Sequence, residues 1–528
     1  MRSYTEAKAF LDVSKTVSAP TTQRPIFDAV ASRIQVAIDQ KEDVLLVGDY
    51  DVDGVSSVAI LKRAIESLGG CVRVVIPHRM KEGYGLSMAL LETILHREPD
   101  LLITLDCGIS NVNEVSVLKQ QASSDVIIFD HHQLPTVLPN ADWIVNPKLE
   151  DTSHPHYHLC AAGLIYVFLA YASDILSLDL CLEPYRDLAC VATIADVVPL
   201  LGDNRHIVAK AFKRLRETKV SGLRALIESC GFNKPELSCR DIAFGLAPRL
   251  NASGRLYDAY KSLDLLLSDC DKTSTKLAID LNAINQKRRS LGDQMLKEAL
   301  NSLDDAAIKA PIIILSKLGW HPGLVGVLAS RLVETYGKPV FVIADDGCIG
   351  RGSVRSIPGI DVYALLKQVE EYCERFGGHK QAAGFSVLSS KISAFSNALL
   401  NVASSVNLSL LDSKEIVFDA VLESKDLHLE CLYEICALEP FGEQNPRPLF
   451  YCDQLMVVEA RLVGANKSHL KLRLQDKAGK RFIEAIGFNK AHFFELCQQK
   501  RPLAFLFYLS ENTFLGMTSL QLELYDMR

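Results

Sequence analysis

The stretch VLLVGDYDVDG (44–54) decides the fold. Four strand-forming apolar residues, Val44 to Val47, break off at Gly48 into carboxylates spaced by two, Asp49, Asp51 and Asp53. Gly54 then allows the tight backbone of a helix start, and SSVAILKRAIESL (56–68) has helical apolar spacing. The unit recurs: VRVVI (72–76), LLITL (101–105), VIIF (126–129) and WIV (143–145) alternate with amphipathic stretches. Short apolar runs separated by helices predict a parallel sheet covered by those helices. Val47 leads into GDYDVDG, Ile76 into PHRMKEGYG, Leu105 into DCG and Phe129 into DHH. The ligand crevice of such a sheet lies at the carboxyl ends of its strands, so these polar clusters are expected to converge.

Downstream, a largely helical region is expected from about Leu159 to Leu303, with the Gly- and Pro-poor stretch Ser262–Leu303 as long helices joining two lobes. A second α/β unit follows: PIIIL (311–315), a helix from Gly323 to Tyr336, PVFVIA (339–344), a Gly-rich segment to Ser356, another helix, and AAGFSV (382–387). Beyond about Ser404 the short runs EIVFDAVL, FYCDQLMVVEARLVG, HLKLRLQD and RFIEAIGF suggest a small antiparallel barrel or sandwich. The expected architecture is α/β: two α/β lobes joined by long helices, plus a C-terminal β-domain. Its divisions are 1–200, 201–305, 306–400 and 401–528.

Composition narrows the class. The chain has 528 residues, 48% hydrophobic and 23% charged, which is globular and too long for one core. The uncharged stretch Leu159–Ser173 is shorter than the roughly 18 apolar residues of a membrane span, so it reads as a buried helix. MRSYTEAKAF has no apolar run behind its basic start, so export is not expected. Fourteen cysteines without a C-x-x-C pair fit reduced thiols in a cytoplasm. A net charge of −7 looks wrong for a nucleic-acid binder, but a site collecting carboxylates for metal pulls the total that way.

By itself GDYDVDG reads either as a capping aspartate with turn residues, as a calcium loop, or as a metal site. An EF-hand is disfavoured because Ile60 stands where its closing glutamate would be. Asp106 alone is a turn or cap residue. His131 and His132, after a buried strand, offer one metal ligand and one acid or phosphate contact. Asp196 ends the apolar run CVATIADVVPL before a proline. Together these are hard oxygen and imidazole donors, suited to Mn²⁺ or Mg²⁺, and two such ions would serve hydrolysis of a phosphate ester or anhydride.

GDYDVDG, LDCG, DHH followed by Gln-Leu-Pro, and IADVVPL resemble the ordered motifs of the DHH phosphoesterases. PRLNASGRL (248–256), GWHPGLVGVLASRL (319–332), GRGSVRS (350–356), RFGGHKQAAGF (375–385) and EPFGEQNPRPLF (439–450) resemble the bacterial RecJ branch, exonucleases that digest single-stranded DNA from its 5′ end. The resemblance implies a DHH catalytic domain, a helical connector, a DHHA1-type substrate-binding domain and an OB-like nucleic-acid-binding barrel. It implies metal ligands at Asp51, Asp53, Asp106, His131 and Asp196, and catalytic roles for His132, Asp49 and Asp130. Substrate phosphate would be bound by Gly377, Gly378, His379, Ser353 and Arg355, with Arg79, Asn251 and Arg255 as further contacts. By residue type, GGH could equally be a helix C-cap and turn. Val354 and Gln444 depart from the family pattern, which has a small residue and commonly Gly there. Segment 461–481 carries seven Lys or Arg against one acid, which fits a backbone-tracking groove or a lysine-guarded strand edge.

The resemblance implies a two-metal, 5′→3′ single-strand exonuclease of recombination and repair, cytoplasmic and monomeric, not bound to membrane, with a helicase and a single-strand-binding protein as candidate partners. Small-substrate relatives, such as oligoribonucleases, 3′-phosphoadenosine phosphatases and cyclic-dinucleotide phosphodiesterases, generally lack the long connector and terminal barrel. A non-catalytic nucleic-acid scaffold would have lost ligand positions, and every one is filled here.

Overall fold

In the computed structural model the described residues are 8, 10–12, 24–79, 83, 85–232, 236–404, 416–477, 479, 481–499, 502–514 and 516–528. Most of the N-terminal decapeptide, part of PHRMKEGYG, Glu415 of EIVFDAVL, and Lys480 of the basic segment lie outside them.

The first sheet joins β1 (Asp43–Gly48), β2 (Cys71–Val75), β3 (Leu101–Leu105), β4 (Asp125–Phe129) and β5 (Trp143–Val145) in the order β2-β1-β3-β4-β5. Every pair is parallel. The central strands are nearly continuous apolar runs because both faces are covered. On one face Leu45, Val47, Leu102, Val126 and Ile128 pack with Leu90, Leu91 and Ile94 of helix Met88–His96 and with Val115 and Leu118 of helix Val112–Gln121. On the other, Phe168 of helix Ala161–Ile175 meets Phe129 at 5.2 Å and Phe27 of helix Arg24–Gln40 at 5.4 Å. The uncharged stretch around Leu164 is thus a buried helix, and among the described residues no helix is long and apolar enough to cross a membrane.

Helix Asp271–Ser302, 32 residues long, links the lobes. Its first part packs on helices Ser221–Ser229 and Ala247–Leu256, while Met295 and Ala299 enter the core of the second α/β unit. That unit has β6 (Ile313–Leu318), β7 (Val340–Asp345), β8 (Ile349–Arg355), β9 (Cys373–His379) and β10 (Ala382–Leu388), ordered β6-β7-β8-β10-β9. Only β6 and β7 run parallel, so the sheet is mixed. The Gly-rich segment ending at Ser356, for which the sequence predicts no element, forms the central strand β8. Its glycines make room for cross-strand side chains: a Cβ on Gly352 would lie 2.1 Å from the ring of its partner Phe385. Val354 is fully buried in this core, so its departure from the family pattern adds volume away from solvent.

The C-terminal domain is a closed barrel. Strands β12 (Phe450–Val463), β13 (His469–Asp476), β14 (Phe482–Gly487), β16 (Met517–Met527) and β15 (Leu503–Phe514) pair in that order, and β15 returns to β12. Among the described residues of EIVFDAVL only Ala420–Val421 (β11) is a strand, pairing parallel to β12. The hairpin β15–β16 was not among the expected runs. The outward positions of β13 carry Lys471, 3.5 Å from Glu484, and Arg473, 4.3 Å from the Phe482 ring centre.

Contacts divide the molecule into two units: the described residues of Thr16–Val198 with His206–Asp412, and those of Met1–Lys15, Pro199–Arg205 and Ser413–Arg528. In the second unit the buried Arg205 guanidinium donates to the carbonyls of Phe10 (3.0 Å), Leu438 (2.7 Å) and Ala437 (3.3 Å). The last two lie just past the end of helix Leu429–Cys436, where a cation is favoured, and the Leu438 carbonyl also accepts from Asn445 Nδ2 (2.9 Å). Gln444 has φ 55°, the left-handed region that favours Gly, which accounts for the family's usual residue in this turn.

Candidate metal centre and phosphate cleft

The sheet ladder sets the backbone of three acidic residues one step beyond the strand ends. Asp49 N donates to Leu105 O (3.3 Å), Asp106 N to Phe129 O (2.9 Å) and Asp130 N to Val145 O (3.1 Å). Neighbouring parallel strands therefore deliver Asp49, Asp106 and Asp130 to one edge of the sheet. Asp51 is the N-cap of helix Val52–Ser67, its Oδ1 accepting from the amides of Asp53 (2.9 Å) and Gly54 (3.1 Å). Asp53, in the first turn of that helix, accepts from Ala161 N (2.7 Å) and Ala162 N (2.9 Å), buried amides at the start of helix Ala161–Ile175 that have no partner within it. Asp196 is the C-cap of helix Glu183–Ala195.

These residues meet around His131. Its Nε2 lies 3.2 Å from Asp106 Oδ1, 3.6 Å from Asp196 Oδ2 and 3.7 Å from Asp53 Oδ2. Ligand atoms of Asp53, His131 and Asp196 fall within 4.8 Å of one another, as do those of Asp49, Asp51 and Asp106 and those of Asp106, His131 and His132. The groups are contiguous through Asp106 and His131. Burial, and then the neighbouring carboxylates, push Asp49, Asp106 and Asp196 well above the usual range, and Asp53 up to about 6. Asp49 Oδ1 is buried without a hydrogen-bond partner among the described residues. Buried carboxylates that repel one another need a cation, and oxygen donors with one imidazole fit a hard divalent ion. Burial and the adjacent His132 charge pull His131 down to about 3, which keeps its ring neutral and able to donate a lone pair.

His132 has the opposite character. Burial pulls it down, but its Nδ1 contact with Asp130 Oδ1 (2.7 Å) and the charges of Asp130, Asp196 and Asp49 raise it to about 9. Burial pushes Asp130 up, yet the His132 ring and the amides of Ile109 and His132 outweigh it and hold the carboxyl below its usual range. Asp130 thus lies behind His132, orienting it, while Asp49 sits with the ligand group of Asp51 and Asp106.

A cleft of about 290 Å³ opens over this centre, lined by Asp49, Asp51, Asp106, His132 and Asp196. Arg79, Asn251, Arg255 and Arg355 line it too, and through Arg355 of β8 the second lobe contributes directly. Burial, with repulsion from Arg79 and Arg288, lowers Arg255 to about 10, and burial with Arg79 lowers Arg355. Cations that depress one another beside a carboxylate cluster are arranged for a shared anion. Arg355 Nη1 donates to Ser353 Oγ (3.0 Å), and both face Gly326, where a Cβ would sit 3.1 Å from the guanidinium and 3.2 Å from the hydroxyl. Gly377, Gly378 and His379 are not among the residues lining this cleft. They lie exposed on the edge strand β9, and Ala382 pairs with both Arg355 and His379, which sets His379 two strand spacings, about 10 Å, from Arg355. GGH is neither helix cap nor turn. Tyr50 and Gly254 also line the cleft and were not singled out, although both lie inside quoted motifs; Arg79 stands 5.0 Å over the Tyr50 ring.

Comparison with known proteins gives three family models along the chain: the DHH family N-terminal domain over 43–193, the DHHA1 domain over 309–405 and the RecJ OB domain over 418–526. The single-stranded-DNA-specific exonuclease RecJ of Bacillus subtilis is 34% identical over 469 residues, 88% of this chain and 58% of that protein. That of Haemophilus influenzae is 32% identical over 92% of this chain and 88% of its own length. The crystal structure of RecJ with Mn²⁺ from Thermus thermophilus superimposes with a TM-score of 0.81 at 31% identity, covering 95% of this chain and 71% of that one. The chain therefore spans less than two thirds of the Bacillus relative but most of the Haemophilus one. With its three domains in that order, the chain belongs to the RecJ family of DHH phosphoesterases.

Proposed function

We propose that this protein hydrolyses the phosphodiester bonds of single-stranded DNA from the 5′ end, using two divalent ions, Mn²⁺ or Mg²⁺, in DNA recombination and repair. The observation that carries this reading is one cleft lined both by a carboxylate and histidine cluster and by Arg79, Arg255 and Arg355. Asp53, His131 and Asp196 would hold one ion, and Asp49, Asp51 and Asp106 the other. When bound, the ions supply Lewis acidity and neutralise charge at the scissile phosphate. Arg79, Arg255 and Arg355 bind the phosphate and aim it at the carboxylate wall, with Ser353 fixing Arg355. His132, kept cationic by Asp130, donates a hydrogen bond to a phosphate oxygen or protonates the departing oxygen. The relatives' names, single-stranded-DNA-specific exonuclease, and the OB domain support the substrate class.

The test offers 5′-labelled and 3′-labelled single strands with Mn²⁺ or Mg²⁺ to the wild type and to Asp53→Ala and His131→Ala. The 5′ label is expected to leave at once as mononucleotide, while the 3′ label persists in shortening strands; both variants should lose at least about 100-fold in rate. Variants as active as wild type would sink the site, and prompt release of the 3′ label would reverse the polarity.

A further inference from the structure

Beyond the phosphate contacts, the helix that carries Asn251 and Arg255 is preceded by a turn with an exposed aromatic ring. Residues Ile242–Leu246 form a π-helical turn that runs directly into helix Ala247–Leu256. Such turns insert an extra residue and are frequent at functional sites. Here the turn places Gly245 against the Phe232 ring, where a Cβ would lie 2.4 Å from Cζ, and leaves Phe244 71% exposed. Along this continuous helix the accessible positions 244, 248, 251 and 255 recur at helical spacing, whereas Leu246, Leu250 and Ala252 are buried. Phe244 therefore shares a face with Asn251 and Arg255, which line the cleft. Seven residues of helix put it about 10 Å beyond Asn251, one to two nucleotides along an extended strand. The same turn packs on helix Glu183–Ala195, whose C-cap Asp196 also lines the cleft.

We infer that Phe244 is a stacking platform for one nucleobase of the single strand, close to the nucleotide whose phosphate lies in the cleft. The inference rests on the single-strand reading above. An exposed aromatic ring in line with phosphate-binding groups suits an unpaired base, since stacking is indifferent to base identity and a paired base has no free face to offer. The charged groups hold the backbone, and Phe244 adds affinity for strands long enough to reach it.

The experiment measures kcat and KM for wild type, Phe244→Ala and Phe244→Trp on a 12-mer, on a dinucleotide, and on 12-mers with a single abasic site moved through the nucleotides nearest the 5′ end. Phe244→Ala should lower the preference for the 12-mer over the dinucleotide roughly 5- to 100-fold, mainly through KM. Phe244→Trp should keep the preference. In wild type one abasic position should carry a penalty of the same size, and that penalty should vanish in Phe244→Ala. If wild type degrades the 12-mer but Phe244→Ala keeps its preference, or the abasic penalty persists in that variant, the stacking role is wrong and the exonuclease reading stands. A wild type that neither binds nor degrades the 12-mer overturns both.

Discussion

Asp106 adopts a left-handed backbone (φ 62°) directly after β3, a strand buried along its whole length. Asn and Asp tolerate this region far better than other side chains, because their short polar groups bond locally. The conformation turns the carboxylate toward His131 and the other acids, whose repulsion and burial raise its pKa well above normal. Strain and charge crowding here oppose stability in order to build an ion site. Asp106→Asn keeps size and backbone tolerance but removes the charge. In chelator it is expected to melt a few degrees higher than wild type, each ~1 kcal/mol relieved moving the midpoint of a large domain by about 2–4 °C. The wild type's rise in melting temperature on adding Mn²⁺ should shrink in the variant. A lower melting point in chelator, or an equal Mn²⁺ shift, would contradict the assignment.

At the scale of elements, the site depends on a close approach between helix Ala247–Leu256 and the loop after β1. A Cβ on Gly254 would meet Tyr50 O at 2.6 Å. Helix propensity alone makes Gly→Ala stabilising by about 1 kcal/mol, whereas overpacking costs about 1–3 kcal/mol. We expect Gly254→Ala to melt lower and to raise KM, because the helix carrying Asn251 and Arg255 must move off Tyr50. A higher melting point with unchanged KM would show that the contact is loose. Strands β1, β3 and β4 were legible because a strand buried on both faces must be apolar throughout, and the acids that end them stand out against that run. Strand β8 was not, since its glycines interrupt any apolar run, and only the structure shows the side chains of Ile343, Ile392 and Phe385 occupying the missing Cβ positions of Gly350 and Gly352. GGH posed the same difficulty: glycine spacing cannot tell an edge strand from a turn.

At the scale of the whole molecule, residues far apart in sequence make single units. Segment Pro199–Arg205 packs with the C-terminal barrel domain, an association that periodicity cannot reveal because it rests on Arg205 finding carbonyls over 200 positions away. The hairpin β15–β16 escaped for a related reason. LAFLFYLS (503–510) is apolar enough to read as helix or strand, and only pairing across the turn at Gly516 (φ 79°) decides it. The convergence of Asp49, Asp51, Asp53, Asp106 and His131 followed from sheet topology, whereas Asp196, the C-cap of helix Glu183–Ala195, was placed by the family resemblance. Their grouping, with Asp106 and His131 each shared between two triads, was not legible, since it depends on which carboxylate each cap and ladder bond orients. The most direct test of the account counts Mn²⁺ bound per chain by equilibrium dialysis of wild type, Asp53→Asn and Asp106→Asn. The two-ion assignment proposed above predicts two ions per wild-type chain and at most one in each variant; fewer than two in wild type, or two retained in both variants, would contradict it.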